Sequence, residues 1–478
     1  MWLVIISGSA FIAIHYAKSN PENAENDNPE IIVEQAPALT SEQSLPSTYK
    51  ENIALGDQHL LENNPLQAII NYKKASSIKK NSSEALSKLA QAYLANNDPQ
   101  AALTVIEALK KLSNNSLEIG LLEAKAQLKS KEFELAKNIV WNLDQNNLEV
   151  KYYRAIILIL YKEFEQAKEV LKEINQIETP DKAELKIKQK AQIYQNAFDT
   201  FSYYKETEPV FQNLLLAKAL TDTEEYESAI PLLFEIINEK NNYRDAWVVL
   251  GYAYLKSGKS ADAIDALKQA YDLDDQKPET LFFLGLAYFA NDNVEDAIFY
   301  LEKAREKGFE PKEQIDLKLG DLYILEKNYE RASSKYEDIV SKSNSNIDLF
   351  ARIVWLNIEK IDNSEKALKY ALKSKELYPN IAMSHNLSGW AYTANGNYSQ
   401  AKAELEKALE LNPKFDAAHL NIAWLYQKEG FSNLAKEYYK KAYILGQGTS
   451  VGNLAALRFN NLTKEEAQTY YQVNITSP

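Results

Sequence analysis

Residues 250–274 read LGYAYLKSGKSADAIDALKQAYDLD, and the same pattern returns further along the chain. LGLAYFANDNVEDAIFYLEKA begins at residue 284, and SGWAYTANGNYSQAKAELEKALELNP begins at residue 388. In each copy a glycine is followed three residues later by tyrosine and twelve residues later by alanine. Extending the alignment predicts a repeat of about 34 residues. The predicted repeats start at residues 49, 83, 117, 148, 210, 244, 278, 313, 347, 382 and 416.

Two positions of the repeat carry small side chains. Position 8 is small in all but one repeat and reads Gly56, Ala90, Ala124, Ala155, Ala217, Gly251, Gly285, Gly320, Val354, Gly389 and Ala423. Position 20 reads Ala68, Ala102, Ala136, Ala167, Ala229, Ala263, Ala297, Ala332, Ala367, Ala401 and Ala435, if one residue is inserted before Ala367. Small side chains at these two places let two helices pack closely. The pattern predicts an antiparallel helix pair in every repeat.

Larger side chains recur at positions 11 and 24, such as Tyr254 and Leu267, and we expect them to fill the space between repeats. Breakers such as Ser257-Gly258 and Asn395-Gly396 lie between the two helices of a pair. No pair can bury its apolar faces alone, so stacking must supply the core. The sequence therefore predicts an all-α solenoid.

This arrangement resembles the tetratricopeptide repeat (TPR) family over residues 49–449, apart from one insert. The resemblance is strongest in units 244–277 and 382–415, and it is weakest in the repeats at 117, 148 and 347, which carry Gln127, Leu158 and Asn357 in place of tyrosine. It implies a right-handed superhelical solenoid of about eleven antiparallel helix pairs. It also implies a protein that binds proteins or peptides, since such arrays are not usually enzymes.

Family geometry places positions 2, 5, 9, 12 and 13 of each first helix on the concave face. The expected partner-binding groove is aromatic-rich and comprises Tyr252, Phe282, Leu286, Phe289, Asn386, Trp390, Leu420 and Trp424. The alternative is that curvature of the superhelix buries several of these side chains as internal packing. The lysine and asparagine that hold a terminal carboxylate in chaperone-binding members are replaced by Ile53 and Asp57, and by Ser87 and Gln91 in the next repeat, so a heat-shock chaperone adaptor is not expected.

Two segments depart from the repeat. Residues 182–209, between the arrays 49–181 and 210–449, have apolar residues at helical spacing, from Ile187 to Phe201. They predict a helix. This helix is a degenerate repeat or joins the two arrays, and the alternative is a dedicated binding helix. Residues 450–478 contain Thr463-Lys-Glu-Glu466, a capping-box pattern that predicts the start of a short closing helix.

The N-terminal region differs from the rest. Within residues 1–18, WLVIISGSAFIAIHYA carries no charged side chain and predicts a membrane anchor or a signal segment, although 16 residues span only about 24 Å. Residues 19–48 hold six carboxylates, four prolines and no Lys or Arg, which predicts an extended acidic spacer. An uncleaved anchor with the repeats on the exported, periplasmic side is the favoured reading, with a cytoplasmic-facing or secreted body as alternatives.

Composition excludes several classes of protein. The net charge of −13 argues against nucleic-acid binding. The absence of cysteine removes disulfides and thiolate chemistry. The four histidines are scattered, and His385 and His419, which share one repeat position, are expected to pack rather than to bind metal. Gly258-Lys259-Ser260 lacks the earlier glycine and the strand of a phosphate loop. We therefore expect no cofactor, no metal and no catalysis.

The sequence as a whole predicts a membrane-anchored scaffold that binds a protein or peptide partner. The expected setting is bacterial envelope assembly, such as pilus, polysaccharide or outer-membrane machinery. The alternatives are a cytosol-facing receptor for protein targeting and a recognition subunit of a glycosyltransferase or other enzyme complex.

Overall fold

A computed structural model describes residues 48–112, 117–178, 180–204, 208–342, 346–447 and 449–475. All regular secondary structure in these ranges is helical, which confirms the predicted all-α class. The helices are α1 Tyr49–Leu61, α2 Pro65–Ile78, α3 Ser83–Ala95, α4 Pro99–Leu112, α5 Leu117–Lys129, α6 Phe133–Trp141, α7 Leu148–Leu160, α8 Phe164–Asn175, α9 Lys182–Tyr203, α10 Pro209–Asp222, α11 Tyr226–Glu239, α12 Arg244–Lys256, α13 Ser260–Leu273, α14 Pro278–Ala290, α15 Val294–Glu306, α16 Lys312–Leu325, α17 Tyr329–Lys342, α18 Ile347–Glu359, α19 Ser364–Leu377, α20 Ala382–Ala394, α21 Tyr398–Leu411, α22 Asp416–Lys428, α23 Ser432–Leu445 and α24 Ser450–Ile475.

The predicted anchor, residues 1–18, lies outside the described residues, as does the spacer up to residue 47. Among the described helices, none has the length and apolar character needed to cross a membrane.

The turn inside each helix pair fixes the register of the repeats. One residue of every turn has a left-handed backbone, and these residues are Asn63, Asn97, Lys131, Lys162, Glu224, Gly258, Asp292, Lys327, Asp362, Gly396 and Gly430. Each stands at position 15 of its predicted repeat except Asp362, which stands at position 16. That exception agrees with the insertion predicted before Ala367. Eleven turns at the expected places confirm eleven helix pairs.

The predicted small-residue seam lies in the interior of each pair. All eleven alanines at position 20 are completely buried. At position 8, a Cβ added to Gly56 would collide with the ring of Tyr72, and one added to Gly251 would collide with Leu267. Tyr72 and Leu267 occupy position 24, so these large side chains cover the glycine of their own repeat. The sequence predicted that position 24 fills the space between repeats, and the structure adds this contact within the repeat.

Helix α9 is the predicted insert. It begins after Asp181, whose side chain accepts hydrogen bonds from the backbone N–H groups of Ala183 and Glu184. Tyr194 and Phe198 are buried, as the apolar spacing predicted. The helix contacts α7 and α8, as the first helix of a next repeat would, but the helix after it is α10, which is itself the first helix of a pair. Helix α9 therefore has no second helix of its own.

The C-terminal prediction needs a correction. Thr463 does not begin a separate helix, because α24 runs without interruption from Ser450 to Ile475. The Thr463 hydroxyl donates to the carbonyl oxygen of Phe459 at 2.9 Å, a bond one turn back within the same helix. A Thr-x-x-Glu pattern inside a helix therefore mimicked a helix start.

Contacts divide the chain into two compact units, which meet in sequence between Asn293 and Val294. The first unit holds α1–α14, and the second holds α15–α24. The insert 182–209 therefore lies inside the first unit. In that unit one continuous apolar core joins residues from Leu121 to Ala266. The predicted limits of the two arrays stay predictions.

Candidate protein-binding surface

The first helices of the pairs line the inner face of each unit. Helix α18 contacts α20, and α20 contacts α22, whereas successive second helices such as α19 and α21 lie farther apart. A stack is concave on the side where neighbouring helices are closest. The family geometry implies that positions 2, 5, 9, 12 and 13 of the first helices face this inner side, and that assignment stays a prediction.

The eight predicted groove residues divide into two groups by exposure. Phe282, Phe289, Asn386 and Leu420 are buried, whereas Tyr252, Leu286, Trp390 and Trp424 are half-buried. Only the second group offers surface that a partner could reach without rearrangement. A role in binding stays a prediction for all eight.

Tyr252 belongs to an aromatic cluster in the first unit. Its ring centroid lies 6.1 Å from that of Tyr226 and 5.2 Å from that of Phe283. Phe283 in turn contacts Phe282 at 5.7 Å. Burial raises the pKa of the Tyr252 hydroxyl above its usual value. These rings stabilise one another, so much of their area is already used in packing.

Part of the inner face of the first unit is covered by the chain itself. Helix α11 lies against the first helices α5 and α7. At its start, Glu227 is almost completely buried and lies 3.8 Å from Lys129 Nζ. The Tyr152 hydroxyl donates to Glu225 at 3.5 Å. Burial raises the pKa of Glu225, although the charges of nearby lysines oppose that change. We call the surface of α5 and α7 under α11 the covered face.

Turn residues add two long-range contacts within the first unit. Lys162, in the turn after α7, pairs with Glu235 of α11 at 2.9 Å. Asn97, in the turn after α3, donates through Nδ2 to the carbonyl oxygen of Ser257 at 2.8 Å. These bonds join residues that are 73 and 160 positions apart in sequence. The covered face is therefore internal structure of the first unit.

The second unit has a different inner face, because three successive first helices carry tryptophan at position 9. Trp355 lies on α18, Trp390 on α20 and Trp424 on α22, and all three are half-buried. We call them the tryptophan row. Trp355 was not among the predicted groove residues. It stands at position 9 of the weak repeat that begins at residue 347, and position 9 is one of the positions expected on the concave face, so the sequence could have indicated it. Trp390 Nε1 is buried and has no hydrogen-bond acceptor among the described residues.

Cationic side chains approach the ends of the tryptophan row. Lys360 Nζ lies 5.8 Å from the ring of Trp355. Lys428 Nζ lies 5.5 Å from the ring of Trp424, and the guanidinium carbon of Arg458 lies 5.7 Å from the same ring. These distances are within the range in which a cation is attracted to an aromatic face.

Asn386, which was predicted as a polar contact for a partner, is paired internally. Its Oδ1 accepts a hydrogen bond from Asn421 Nδ2 at 2.9 Å, and both side chains are buried. The bond joins first helices of neighbouring repeats. Asn386 therefore supports the inner face.

Ring N–H groups at position 4 tie helices together. His385 Nε2 donates to the carbonyl oxygen of Pro379 at 2.9 Å, and His419 Nε2 donates to that of Pro413 at 3.1 Å. Trp247 Nε1 makes the equivalent bond to Asn241 at 2.8 Å. Each bond reaches back six residues, toward the end of the preceding second helix. These contacts agree with the predicted packing role of the two histidines.

Comparison with known families identifies the repeat. A family model described as tetratricopeptide repeat matches residues 214–278 and 248–311, and a second model with the same description matches residues 382–415. The chain therefore contains tetratricopeptide repeats, which are typical of scaffolds for protein–protein interaction. No curated protein sequence matches the chain.

Solved structures resemble the chain at low similarity. The C-terminal part of a TPR repeat-containing protein from Cytophaga hutchinsonii is 17% identical, with a TM-score of 0.41, and the match covers 51% of this chain and 98% of that one. Yeast Tom70 is 16% identical, with a TM-score of 0.31 and coverage of 87% and 96%. A chain of the APC/C hetero-tetramer Cut9–Hcn1 is 15% identical, with a TM-score of 0.30 and coverage of 86% and 96%. Similarity at this level does not bear on function.

Proposed function

We propose that this chain is a non-enzymatic scaffold that binds a protein or peptide partner along the tryptophan row. One observation carries the proposal: Trp355, Trp390 and Trp424 occupy the same position on three successive first helices, and each is only half-buried. Repeated aromatic exposure on one face is typical of a binding surface.

The spacing of the row fits a short extended segment. Contacting helices are about 8–10 Å apart, so three first helices place their tryptophans over about 16–20 Å. A fully extended chain rises about 3.3 Å per residue, so five or six residues span the row. Tryptophan gives large contact area with few rotatable bonds, which favours hot spots of binding energy. The partner segment would therefore be anchored mainly by aromatic contacts.

Site-specific cross-linking tests the proposal. A photo-cross-linking phenylalanine analogue placed at Trp355 should capture a partner in cells, and the same analogue placed at Trp141 should not. Trp141 is the matched control, because it is also exposed and also lies near cations, but it belongs to α6, a second helix. Trp355→Ala should then weaken binding of the purified partner by at least tenfold, while Trp141→Ala leaves it unchanged.

Two results would contradict the tryptophan row as the binding surface. One is equal cross-linking at positions 355 and 141. The other is a Trp355→Ala protein with lower thermal stability but normal affinity in its folded fraction, which would show that Trp355 only packs.

We further propose that residues 2–17 anchor the chain and that the repeats act at the cell envelope on the periplasmic side. The uncharged apolar stretch and the acidic spacer after it support this setting. Full-length protein should fractionate with membranes, and a chain that begins at residue 48 should be soluble and folded. Unprocessed full-length protein in the soluble fraction would refute the anchor.

Protease protection in spheroplasts tests the orientation. Digestion of the repeats by added protease supports the periplasmic side, whereas protection supports a cytosol-facing receptor. If the captured partner is the catalytic chain of a glycosyltransferase, the scaffold is the recognition subunit of an enzyme complex.

A further inference from the structure

One side chain of the last helix crosses the inner face of the second unit. Helix α24 is seated against α22 and α23 by buried Ala455 and Leu462. From this helix, Arg458 Nη2 donates to Glu359 Oε1 at 2.7 Å. Glu359 is the last residue of α18, and α20 is the first helix between α18 and α22. The guanidinium therefore bridges first helices that are not neighbours.

The guanidinium is held by two kinds of contact. Its carbon lies 5.7 Å from the ring of Trp424, and its N–H groups face the carboxylate of Glu359. Arg458 also approaches the buried hydroxyl of Tyr439, whose pKa is raised to about 12 by burial and lowered in part by Arg458. An aromatic face and a carboxylate are the two partners that a planar guanidinium matches best. The site thus has the chemistry of an arginine-binding subsite.

We propose that Glu359 and the ring of Trp424 form a guanidinium-binding subsite, which Arg458 fills in the free protein and an arginine of the partner fills in the complex. This inference rests on the proposed function, because it assigns a partner chemistry to the tryptophan row. The internal occupant shows what that chemistry is. The partner segment accordingly presents an arginine to this subsite.

A partner's arginine can displace the Arg458 side chain at little cost in free energy. The side chains of Arg458 and Glu359 are only 18% and 29% exposed, but the incoming guanidinium takes over the same ion pair, so the carboxylate of Glu359 is not left unpaired. The backbone of α24 can stay in place, because Ala455 and Leu462, not Arg458, fill the core beneath it. A rotation of one long side chain is enough to open the subsite.

Chemical rescue tests the subsite. The full chain carrying Arg458→Ala is labelled with fluorotryptophan, and the Trp424 resonance is assigned through Trp424→Phe. The concentration of N-ethylguanidinium that produces half of the shift in this resonance should be at least tenfold lower for the Arg458→Ala protein than for the wild type. The neutral isostere N-ethylurea should give no shift, and Glu359→Gln on the Arg458→Ala background should weaken the response at least tenfold. Equal responses of the wild type and Arg458→Ala, or to the urea, would overturn the subsite.

A peptide tests the partner chemistry. A synthetic peptide with the sequence of residues 453–462, NLAALRFNNL, should bind the Arg458→Ala protein at least tenfold more tightly than the wild type. The same peptide with citrulline in place of arginine should lose that gain. Rescue by ethylguanidinium without any preference for the arginine peptide would overturn the assignment of an arginine-bearing partner.

Failure of this inference can be separated from failure of the proposed function. A partner that cross-links at position 355 and binds the Glu359→Gln chain as well as the wild type refutes the arginine assignment and leaves the tryptophan row intact. Failure of any partner to cross-link at position 355 refutes the tryptophan row instead, and the ethylguanidinium titration does not depend on that result.

Discussion

The inner faces of the two units are built from the same repeat, yet part of the first is covered by a helix of the same unit, whereas the second presents three half-buried tryptophans. In the first unit α11 lies against α5 and α7, and the residues beneath it include Tyr152, which is buried. In the second unit the corresponding helices present the tryptophan row, and Arg458 reaches across it from α24. The repeat framework therefore does not decide which residues of an inner face stay exposed. The side chains at the inward positions, and the helices that follow, decide it.

Helix α9 accounts for the difference. It takes the place of a first helix after α8 and has no second helix of its own. The next pair, α10 and α11, therefore does not continue the regular alternation, and α11 reaches the inner face of earlier repeats. In the second unit the pairs from α16 to α23 alternate without an insert.

The largest effect should come from removing apolar packing of α11 in the core of the first unit. Ile236 is completely buried in α11, so Ile236→Ala should destabilise the first unit by about 2–5 kcal/mol through lost burial and a new cavity. The matched control is Phe234→Ala on the same helix, because Phe234 is 42% exposed and should cost less than about 1 kcal/mol. Urea unfolding followed by circular dichroism measures both. Equal losses would show that the buried side of α11 does not hold this helix in the core.

The small-residue seam should respond alike in both units, since it belongs to the shared framework. Ala263→Leu in the first unit and Ala401→Leu in the second should each cost about 1–3 kcal/mol by overpacking. Ala261→Leu and Ala403→Leu are the controls, because these alanines are exposed on the same two helices. Thermal melting of the four variants tests the register. If the seam variants melt at the same temperature as the control variants, the two helices of a pair do not pack closely at position 20.

These repeats could be predicted because close packing of paired helices requires small residues at fixed spacing. A completely buried alanine such as Ala263 or Ala401 tolerates no larger side chain, and so the position can be recognised in a single sequence. Asn357 shows the limit. It is buried and donates through Nδ2 to the Ser333 hydroxyl oxygen at 2.9 Å, so a hydrogen-bonded polar side chain stands where most repeats carry tyrosine. This departure makes the repeat, and Trp355 two residues earlier in it, hard to recognise from the sequence.

The covered face could not be predicted from the sequence. It depends on pairs such as Lys129 with Glu227, which are about a hundred residues apart and have no local pattern. Burial of Phe282 could not be predicted either, since the repeat position gives the direction of a side chain but not what packs over it. Local spacing therefore gave the helices and their pairing, and long-range packing determined which inner positions remain exposed.

The charge of Glu225 offers a pH-dependent test of the covered face. Burial raises its folded-state pKa, so the ionised form is disfavoured in the folded protein. Glu225→Gln should therefore raise the urea midpoint at pH 7, and the gain should disappear as the pH falls toward the unfolded pKa of about 4.3, where the carboxyl is protonated in both states. Glu224→Gln, at the exposed neighbouring residue, is the control. A gain that is the same at pH 4 and pH 7 would exclude desolvation of Glu225 as the cause.

The smallest effect should come from glycine substitutions at one turn position, which can be compared in the two units. Lys162 and Lys327 both stand at position 15 with φ near +60°, a conformation that favours glycine. Lys327→Gly should stabilise the second unit by about 0.5–1 kcal/mol through relief of backbone strain. Lys162→Gly relieves the same backbone strain but loses the ion pair with Glu235, in which both side chains are about half exposed. Since such a pair adds little to stability, the net stabilisation by Lys162→Gly should be smaller than that by Lys327→Gly by roughly a few tenths of a kcal/mol. Lys162→Gly in a Glu235→Gln background should recover the full gain, because no pair remains to be lost. Chemical denaturation of the single and double variants measures the free-energy coupling between Lys162 and Glu235. Additive effects would show that the turn after α7 is not held by α11.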